Sequence, residues 1–579
     1  MSLSAALQIG RSALAASQLG IQVAGNNMAN AATVGYSRQR IDIESIRGDQ
    51  SVPGGGAGRG VRVSTIRRQV DGALQARLTG AGADAAGAQT QQRIFEQIET
   101  TLGELGTNDL SNELSNFFKV WSERANQTKA SGSVVQQGDR LARFVRELRT
   151  DLTSQRRQID DQIDATVGQA NELLESVARL NKAISTSEGS GAPANTLRDQ
   201  RDQAIEQLAQ IMDVSVIDRG LGGLDVLVGS APVVLADRAK TLEVQRVNSD
   251  SGTSVTVRTT GDQGQDLGLA SGSLGSLLMN RSGAVDATID RLDTLASGVI
   301  FEINKLHSTA TNATGMVSST GTLGFSTTDR ARALNDAANE STNGLPFAAT
   351  NGGFLVQVRE RSTGAMQSMR VNVDLDNVTA AGLPGTDDDT SAEDIRASLD
   401  GIAGLKATFT ADGKLSIVAD DGFDFSFSDD SSGALAVLGV NAYFTGKSGA
   451  DIAVRTDLLA DSTKLATGRM VNGQFVENGT ALEMARLQDR SAASLGGVSF
   501  ADHWRDTSQQ VSGATASATT NAQARAMVYE SLASQRDALS GVNIDEESIG
   551  LMDYQRQYQA AARVISTVDQ MTQSLLSLL

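Results

Sequence analysis

An apolar row occupies the last helix-forming stretch of the chain and limits what that stretch can become. From Leu551 it steps by threes and fours through Tyr554, Tyr558, Ala561, Ile565, Val568, Thr572, Leu575 and Leu579, the spacing of coiled-coil a and d positions. Only Thr572 interrupts it. Asp545, Glu546 and Glu547 stand just ahead, where the unpaired N–H groups and macrodipole of a first helical turn favour carboxylates, so a helix is predicted from about Asp545. The first thirty residues carry a matching row: Leu3, Leu7, Gly10, Leu14, Ser17, Ile21, Ala24 and Met28 step by fours and threes, with small residues where a partner backbone needs room. Either row alone fits the core-facing side of an amphipathic helix. Termini fray unless something ties them down, so matched rows at both extremes predict pairing with each other or with neighbouring copies.

Short motifs flank the rows. Asn26, Asn27, Ala29 and Asn30 precede Gly35-Tyr36-Ser37-Arg38-Gln39, and Ser540-Gly541-Val542-Asn543-Ile544-Asp545-Glu546-Glu547 precedes Tyr554-Gln555, Tyr558-Gln559 and Ala562-Arg563-Val564-Ile565-Ser566-Thr567. These residues resemble the two ends of axial flagellar proteins, and the Ser-Arg-Gln version with the full ending is similar to the hook-associated protein 1 family. One departure is Ser548-Ile549-Gly550, which stands where that family has helix-favouring residues; Gly550 weakens a helix by ~1 kcal/mol relative to alanine, so a local bend is expected there.

The resemblance implies a structural junction protein that joins the flagellar hook to the filament as a ring of copies. Assembly would run through Leu3, Leu7, Leu14, Ile21, Met28 and Asn30 at one end and Leu551, Tyr554, Tyr558, Ala561, Ile565, Val568, Leu575 and Leu579 at the other. It further implies hook protein and the third hook-associated protein as neighbours, a small export chaperone on the C-terminal helix, and secretion through the flagellar type III apparatus without a cleaved signal peptide. Alternatives are another axial flagellar protein (third hook-associated, hook or distal rod protein) and an enzyme or adhesin housed in a β insert in the middle of the chain.

Composition narrows the classes. The formal net charge of -18 argues against a nucleic-acid partner, because phosphates would be repelled. With no cysteine there is no disulfide framework, thiolate metal site or cysteine nucleophile. No basic segment leads into an apolar one at the N-terminus as a secretory signal requires. Leu575-Leu576-Ser577-Leu578-Leu579 is far short of the ~20 apolar residues of a spanning helix, so no membrane association is expected.

At 579 residues the chain is long enough for three or four domains. The fold expected is mainly α with β insertions: terminal helices forming a coiled-coil axial domain (1–34 and 545–579), a long-helix bundle (35–314 and 447–544) with a small β unit at 214–270, and an inserted outer β-rich domain (315–446). Within the bundle, Ile159, Ile163, Ala170, Leu173, Leu174, Val177, Leu180 and Ile184 make one long stripe, and Phe117, Phe118 and Trp121 read as core. One helix is expected over Leu274–His307 and another from about Ser508 to Leu539. Strands are expected at Phe354–Val358, Met369–Val373, Ala407–Thr410, Leu415–Val418 and Phe423–Phe427. Thr390-Ser391-Ala392-Glu393 has capping-box spacing for one short helix, and Gly54-Gly55-Gly56 reads as a loop.

Chemistry is sparse. Two histidines, His307 and His503, are too few for most zinc enzymes and form no HExxH pair. Thr445-Gly446-Lys447-Ser448 imitates the end of a P-loop, but Asn441 occupies the place of its first glycine, so nucleotide binding is not expected. Asp387-Asp388-Asp389, Asp420-Asp421 and Asp429-Asp430 offer oxygen ligands for calcium yet match no EF-hand, and are read as solvated turn acids. No catalytic, cofactor-binding or metal residue is assigned, and the reading is that of a non-enzyme without cofactors.

Overall fold

Helix dominates the chain, and several long helices begin at a capping side chain, Asp71, Asp109, Ser499 and Asn543 among them. The computed structural model describes residues 3–47, 58–103, 106, 109–127, 130–189, 191, 193–220, 222–249, 252–261 and 264–577; Leu579 and the run Gly54–Gly56 lie outside them. Two units result, each drawing on separated stretches: residues 1–94, 159–282 and 516–579 form the first, and 95–158 and 283–515 the second.

In the first unit, the helices Leu3–Ala29 and Ile544–Ser577 lie against each other. A hairpin follows the N-terminal helix, with Gln39–Ser45 antiparallel to Val61–Arg68 and a bulge at Asp42/Ile43. The helix Ser131–Glu188 supplies this unit from residue 159 onward, and the stripe read from the sequence is buried at Ile159, Ile163, Ala170, Leu174, Val177 and Ile184. The small β unit is a four-stranded antiparallel sheet over Val214–Ala239 and a hairpin of Leu242–Ser249 with Gly252–Thr259. Buried polar groups tie sheet to helix: Asn181 Nδ2 donates to Leu224 O at 2.7 Å and Ala236 O at 2.6 Å, and Arg201 Nη1 donates to Asn181 Oδ1 at 2.9 Å. Each of these donors would be costly to bury unpaired.

In the second unit, Asp109 caps the helix Leu110–Ala125 by accepting from Asn112 N at 2.7 Å, the usual service of an aspartate before a first turn. That helix buries Leu114, Phe117, Phe118 and Trp121. Phe118 stacks on Phe500 at 5.9 Å, and Trp121 tilts against Tyr443 at 5.7 Å; the Tyr443 hydroxyl donates to Val134 O at 2.8 Å. Histidine 307 is fully buried in this cluster, its Nδ1 2.6 Å from Asn441 O. Burial pushes its pKa down to about 4.

The β-rich stretch of this unit holds two three-stranded antiparallel sheets. Lys414–Ala419 lies between Ser318–Gly324 and Leu405–Phe409; Gly352–Glu360 lies between Met366–Val373 and Phe423–Ser428. All five strands expected there exist, one to three residues longer at most ends, and Phe354, Val356, Ile395, Leu399, Phe425, Phe427 and Leu435 share one core.

Three local expectations need correction. The capping box sits one residue later than read, with Ser391 as cap of Ala392–Asp400 and Asp394, not Glu393, returning the bond, because the side chain at the third helical position is the one that reaches the cap. The helix expected over Leu274–His307 is interrupted by a π-helical turn, Arg281–Asp286, between Gly272–Asn280 and Ala287–Ser308. The helix placed from Ser508 begins at Phe500, where Ser499 Oγ accepts from Asp502 N at 3.1 Å.

Candidate assembly interface

The terminal helices run antiparallel. Gly10 meets Ile565 and Gly20 meets Tyr554: a Cβ at Gly10 would stand 2.8 Å from Ile565 Cγ1, and one at Gly20 2.6 Å from the Tyr554 ring. The same register brings Leu14 to the level of Ala561, so at these positions a large residue on one helix faces a small one on the other and the backbones come close. On the N-terminal helix the buried positions are all small, namely Gly10, Ala16, Ser17, Gly20, Ala24 and Asn27. Leu3, Leu7, Leu14, Ile21 and Met28 are only half-buried. On the C-terminal helix Ala561 and Val568 are buried, Leu551, Tyr554 and Ile565 half-buried, and Tyr558 and Leu575 exposed at 38% and 52%. Asn30 folds back on its own helix, donating from Nδ2 to Asn26 O and Oδ1. Ser548-Ile549-Gly550 continues the helix without a break.

A polar clamp closes one end of the pair. Asn543 starts the C-terminal helix, its Oδ1 accepting from Asp545 N at 2.9 Å. One turn on, Glu547 is 6% exposed; it accepts from Asn27 Nδ2 at 2.9 Å and from Arg38 Nε at 2.7 Å, while Arg38 Nη1 reaches Glu546 at 2.7 Å. The other side of Asn27 is equally used: Nδ2 donates to Gln39 O, and Oδ1 accepts from Gln39 N at 3.0 Å and from the Tyr36 hydroxyl at 2.9 Å. Arg38 N donates to Ser540 O at 2.8 Å. Asn27 and Arg38 of the N-terminal motif therefore meet the C-terminal motif directly, and Tyr36 and Gln39 hold Asn27 in place.

Electrostatics follow from this packing. Burial opposes the Arg38 charge, but hydrogen bonds and attraction from Glu546 and Glu547 outweigh it and hold its pKa above the ordinary value. The Tyr36 hydroxyl is pushed up to about 12 by burial first and by Asp199 and Glu547 next, so it stays a donor. Asp199 accepts from Arg68 Nη1 at 2.7 Å. A cleft of about 580 Å³ opens beside the clamp, lined among others by Gly35, Tyr36, Asp199, Glu206, Arg536 and Glu546.

Two matches address what such a chain is. Residues 95–322 fit the family model described as the flagellar hook-associated protein FlgK helical domain, and residues 534–578 the model described as the flagellar basal body rod FlgEFG protein C-terminal. Flagellar hook-associated protein 1 of Escherichia coli (strain K12) is 26% identical over 98% of both chains, and that of Salmonella typhimurium 27% identical over 98% of both. The chain is thus similar, end to end, to flagellar hook-associated proteins of the FlgK type. A solved structure of the flagellar hook junction protein FlgK from Burkholderia pseudomallei aligns with 80% of this chain and 100% of its own at 14% identity, with a TM-score of 0.48.

The second of these models spans the C-terminal row from Leu551 to Leu575 and the acids of the clamp. The sequence marked Asn27, Arg38 and Glu547 as signature residues, but not that they touch; Glu547 read as a first-turn acid, and its burial depends on a residue 520 positions away. The P-loop imitation is filled from within: Asp451 Oδ1 accepts from both Lys447 N and Ser448 N at 2.9 Å, taking the N–H groups a phosphate would need. No described helix is long and apolar enough to cross a membrane.

Proposed function

We propose that this chain is a structural component of the bacterial flagellum, the junction between hook and filament, and that copies of it assemble as a ring through the paired terminal helices. The observation that carries this reading is the unfinished state of the C-terminal helix: with its N-terminal partner in place, Ile549, Met552, Val564, Met571, Leu575 and Leu576 remain 46–67% exposed. A row of that kind asks for further protein surface. End-to-end similarity to relatives named flagellar hook-associated protein 1 supports the junction over other axial positions, although the match of residues 534–578 to a rod-protein ending is what a different axial protein would also carry.

In this reading residues 1–34 and 545–579 form the coiled-coil axial part, 35–314 and 447–544 a helical bundle, and 315–446 an outer domain that carries no axial contacts. Leu3, Leu7, Leu14, Ile21, Met28, Leu551, Tyr554, Tyr558, Ala561, Ile565, Val568, Leu575 and Leu579 make the interface, with Asn30 bracing the end of its helix. Hook protein and the third hook-associated protein are the neighbours, export is through the flagellar type III apparatus, and a cytoplasmic chaperone covers the C-terminal row beforehand in the helix-in-groove manner. The role is structural, without cofactor. Deleting the gene tests it: cells should keep hooks, lose filaments and shed flagellin, as seen by electron microscopy and by flagellin in the medium. Filaments of normal number and attachment would contradict it.

A further inference from the structure

The acidic turns of the β-rich stretch include one that hydrogen bonding leaves unfinished. Asp389 is 5% exposed. Its Oδ2 accepts from Asn335 Nδ2 at 2.6 Å and from Asn377 N at 3.3 Å, whereas its Oδ1 is buried without a hydrogen-bond partner, as is Oδ1 of the same Asn335. Two oxygens deprived of water and of donors sit on two directly bonded side chains. A buried carboxylate in that state is costly unless a cation or a proton neutralises it, and an unsatisfied buried group of this kind is where an ion belongs.

The neighbours add charge of the same sign. Ligand oxygens of Asp374, Asp376 and Asp389 all lie within 4.8 Å of one another. Two oxygens on one calcium ion, each at about 2.4 Å, stand at most about 4.8 Å apart, so the three carboxylates fit around a single ion as they are. They cannot spread to relieve their repulsion, because the two segments are zipped: Asp374 N donates to Thr390 Oγ1 at 2.8 Å, Thr390 N donates to Asp374 O at 2.7 Å, and Val373 and Leu375 on either side are buried in the core. Asn377 takes φ +60° to turn the chain after Asp376. Arginines of this region are engaged elsewhere, Arg332 with Asp329 at 3.5 Å and Arg359 with Asp424 at 2.8 Å.

We propose that Asp374, Asp376 and Asp389, with the amide oxygen of Asn335, bind a hard divalent cation, calcium. All donors are oxygens, without histidine or cysteine, which selects against zinc, copper and nickel. Magnesium needs a tight octahedron near 2.0–2.1 Å and keeps most of its waters; calcium takes carboxylates and amide oxygens in irregular geometry. The ion would neutralise the buried carboxylate and lock the 374–391 loop to the sheet edge.

Calorimetric titration of the EGTA-stripped full-length protein with calcium chloride, beside magnesium chloride, tests this. Expected is one saturable calcium site per chain, with a Kd in the ~10⁻⁴–10⁻³ M range of extracellular calcium modules, and a melting temperature that rises with calcium as linkage requires. Asp376→Asn, at an exposed position, should weaken binding about tenfold or more, and Asp389→Asn should abolish it without lowering the stability of the calcium-free protein. Asp412→Asn, an exposed acid paired with Lys414, should change neither. No saturable site up to about 10 mM, far above that range, would overturn the assignment; so would equal affinity for magnesium, or binding indifferent to both Asp376→Asn and Asp389→Asn.

Discussion

Two helices of this chain each bury three residues, and the contrast between them separates what is finished in the monomer from what is not. Ala392–Asp400 does so in nine residues: Ala392, Ile395 and Leu399 enter a core of strands, and Ser391 with Asp394 caps the start. Ile544–Ser577 takes 34 residues to bury Glu547, Ala561 and Val568. One of those three is a carboxylate held by Arg38 and Asn27. The first helix draws its stability from a core it shares; the second is aligned by a clamp at one end and glycine contacts along one side, and leaves its other faces to solvent. Most helical stability in proteins comes from packing an amphipathic face, so the second helix stands to gain from any surface that covers its open side.

The sharpest break of this contrast is a charge in the seam. Ile565→Asp would place a carboxylate against Gly10, costing several kcal/mol unless the group neutralises. The expected outcome is loss of filaments and of motility with the folded insert unchanged by circular dichroism; swimming at the wild-type rate would place assembly elsewhere.

A comparable loss in the insert should act oppositely. Phe427 is fully buried, edge-on to Phe354 at 5.9 Å and Phe425 at 5.5 Å, so Phe427→Ala should cost about 3–5 kcal/mol. Chemical denaturation of the full chain should register it, while hydrogen exchange in the terminal pair stays as in wild type.

The clamp comes next. Glu547→Ala leaves Asn27 and Arg38 short of a buried acceptor, a cost of about 1–3 kcal/mol. It should appear as faster proteolysis within Ile544–Ser577 and not within Gly352–Glu360.

A further handle is pH. With its folded pKa lowered to about 4 from an ordinary 6.5, His307 stays neutral in the folded chain while the unfolded chain takes up a proton. Its contribution is therefore unaffected above pH 6.5 and is lost as pH falls from 6.5 to 4, by up to on the order of 3 kcal/mol. Denaturation midpoints at pH 7 and pH 4.5 should differ accordingly, and His307→Gln should flatten the difference.

Much of this architecture is legible in the residues. The strands around Phe354 and Phe425 announce themselves by β-branched and aromatic alternation, and the stripe from Ile159 to Ile184 by its period. The terminal rows are legible as rows, and Gly10, Ser17 and Ala24 mark the close approach. What periodicity does not give is the partner: Glu547 looks like any first-turn acid until Asn27 and Arg38 close on it, because contact across 520 positions leaves no local trace. The π-helical turn at Arg281–Asp286 is hidden for a related reason, since an inserted residue shifts the apolar period without erasing it. Asp389 belongs to the same group. Its run of three aspartates reads as a solvated turn, and only the fold buries one of them.

Hydrogen exchange on a verified monomer and on the assembled junction tests the central claim most directly. The account predicts fast exchange across Gly550–Ser577 in the monomer, slow exchange in the strands Gly352–Glu360 and Phe423–Ser428, and strong protection of the C-terminal helix once copies assemble. Protection of that helix in the monomer equal to that of the insert strands, or no gain on assembly, would contradict it.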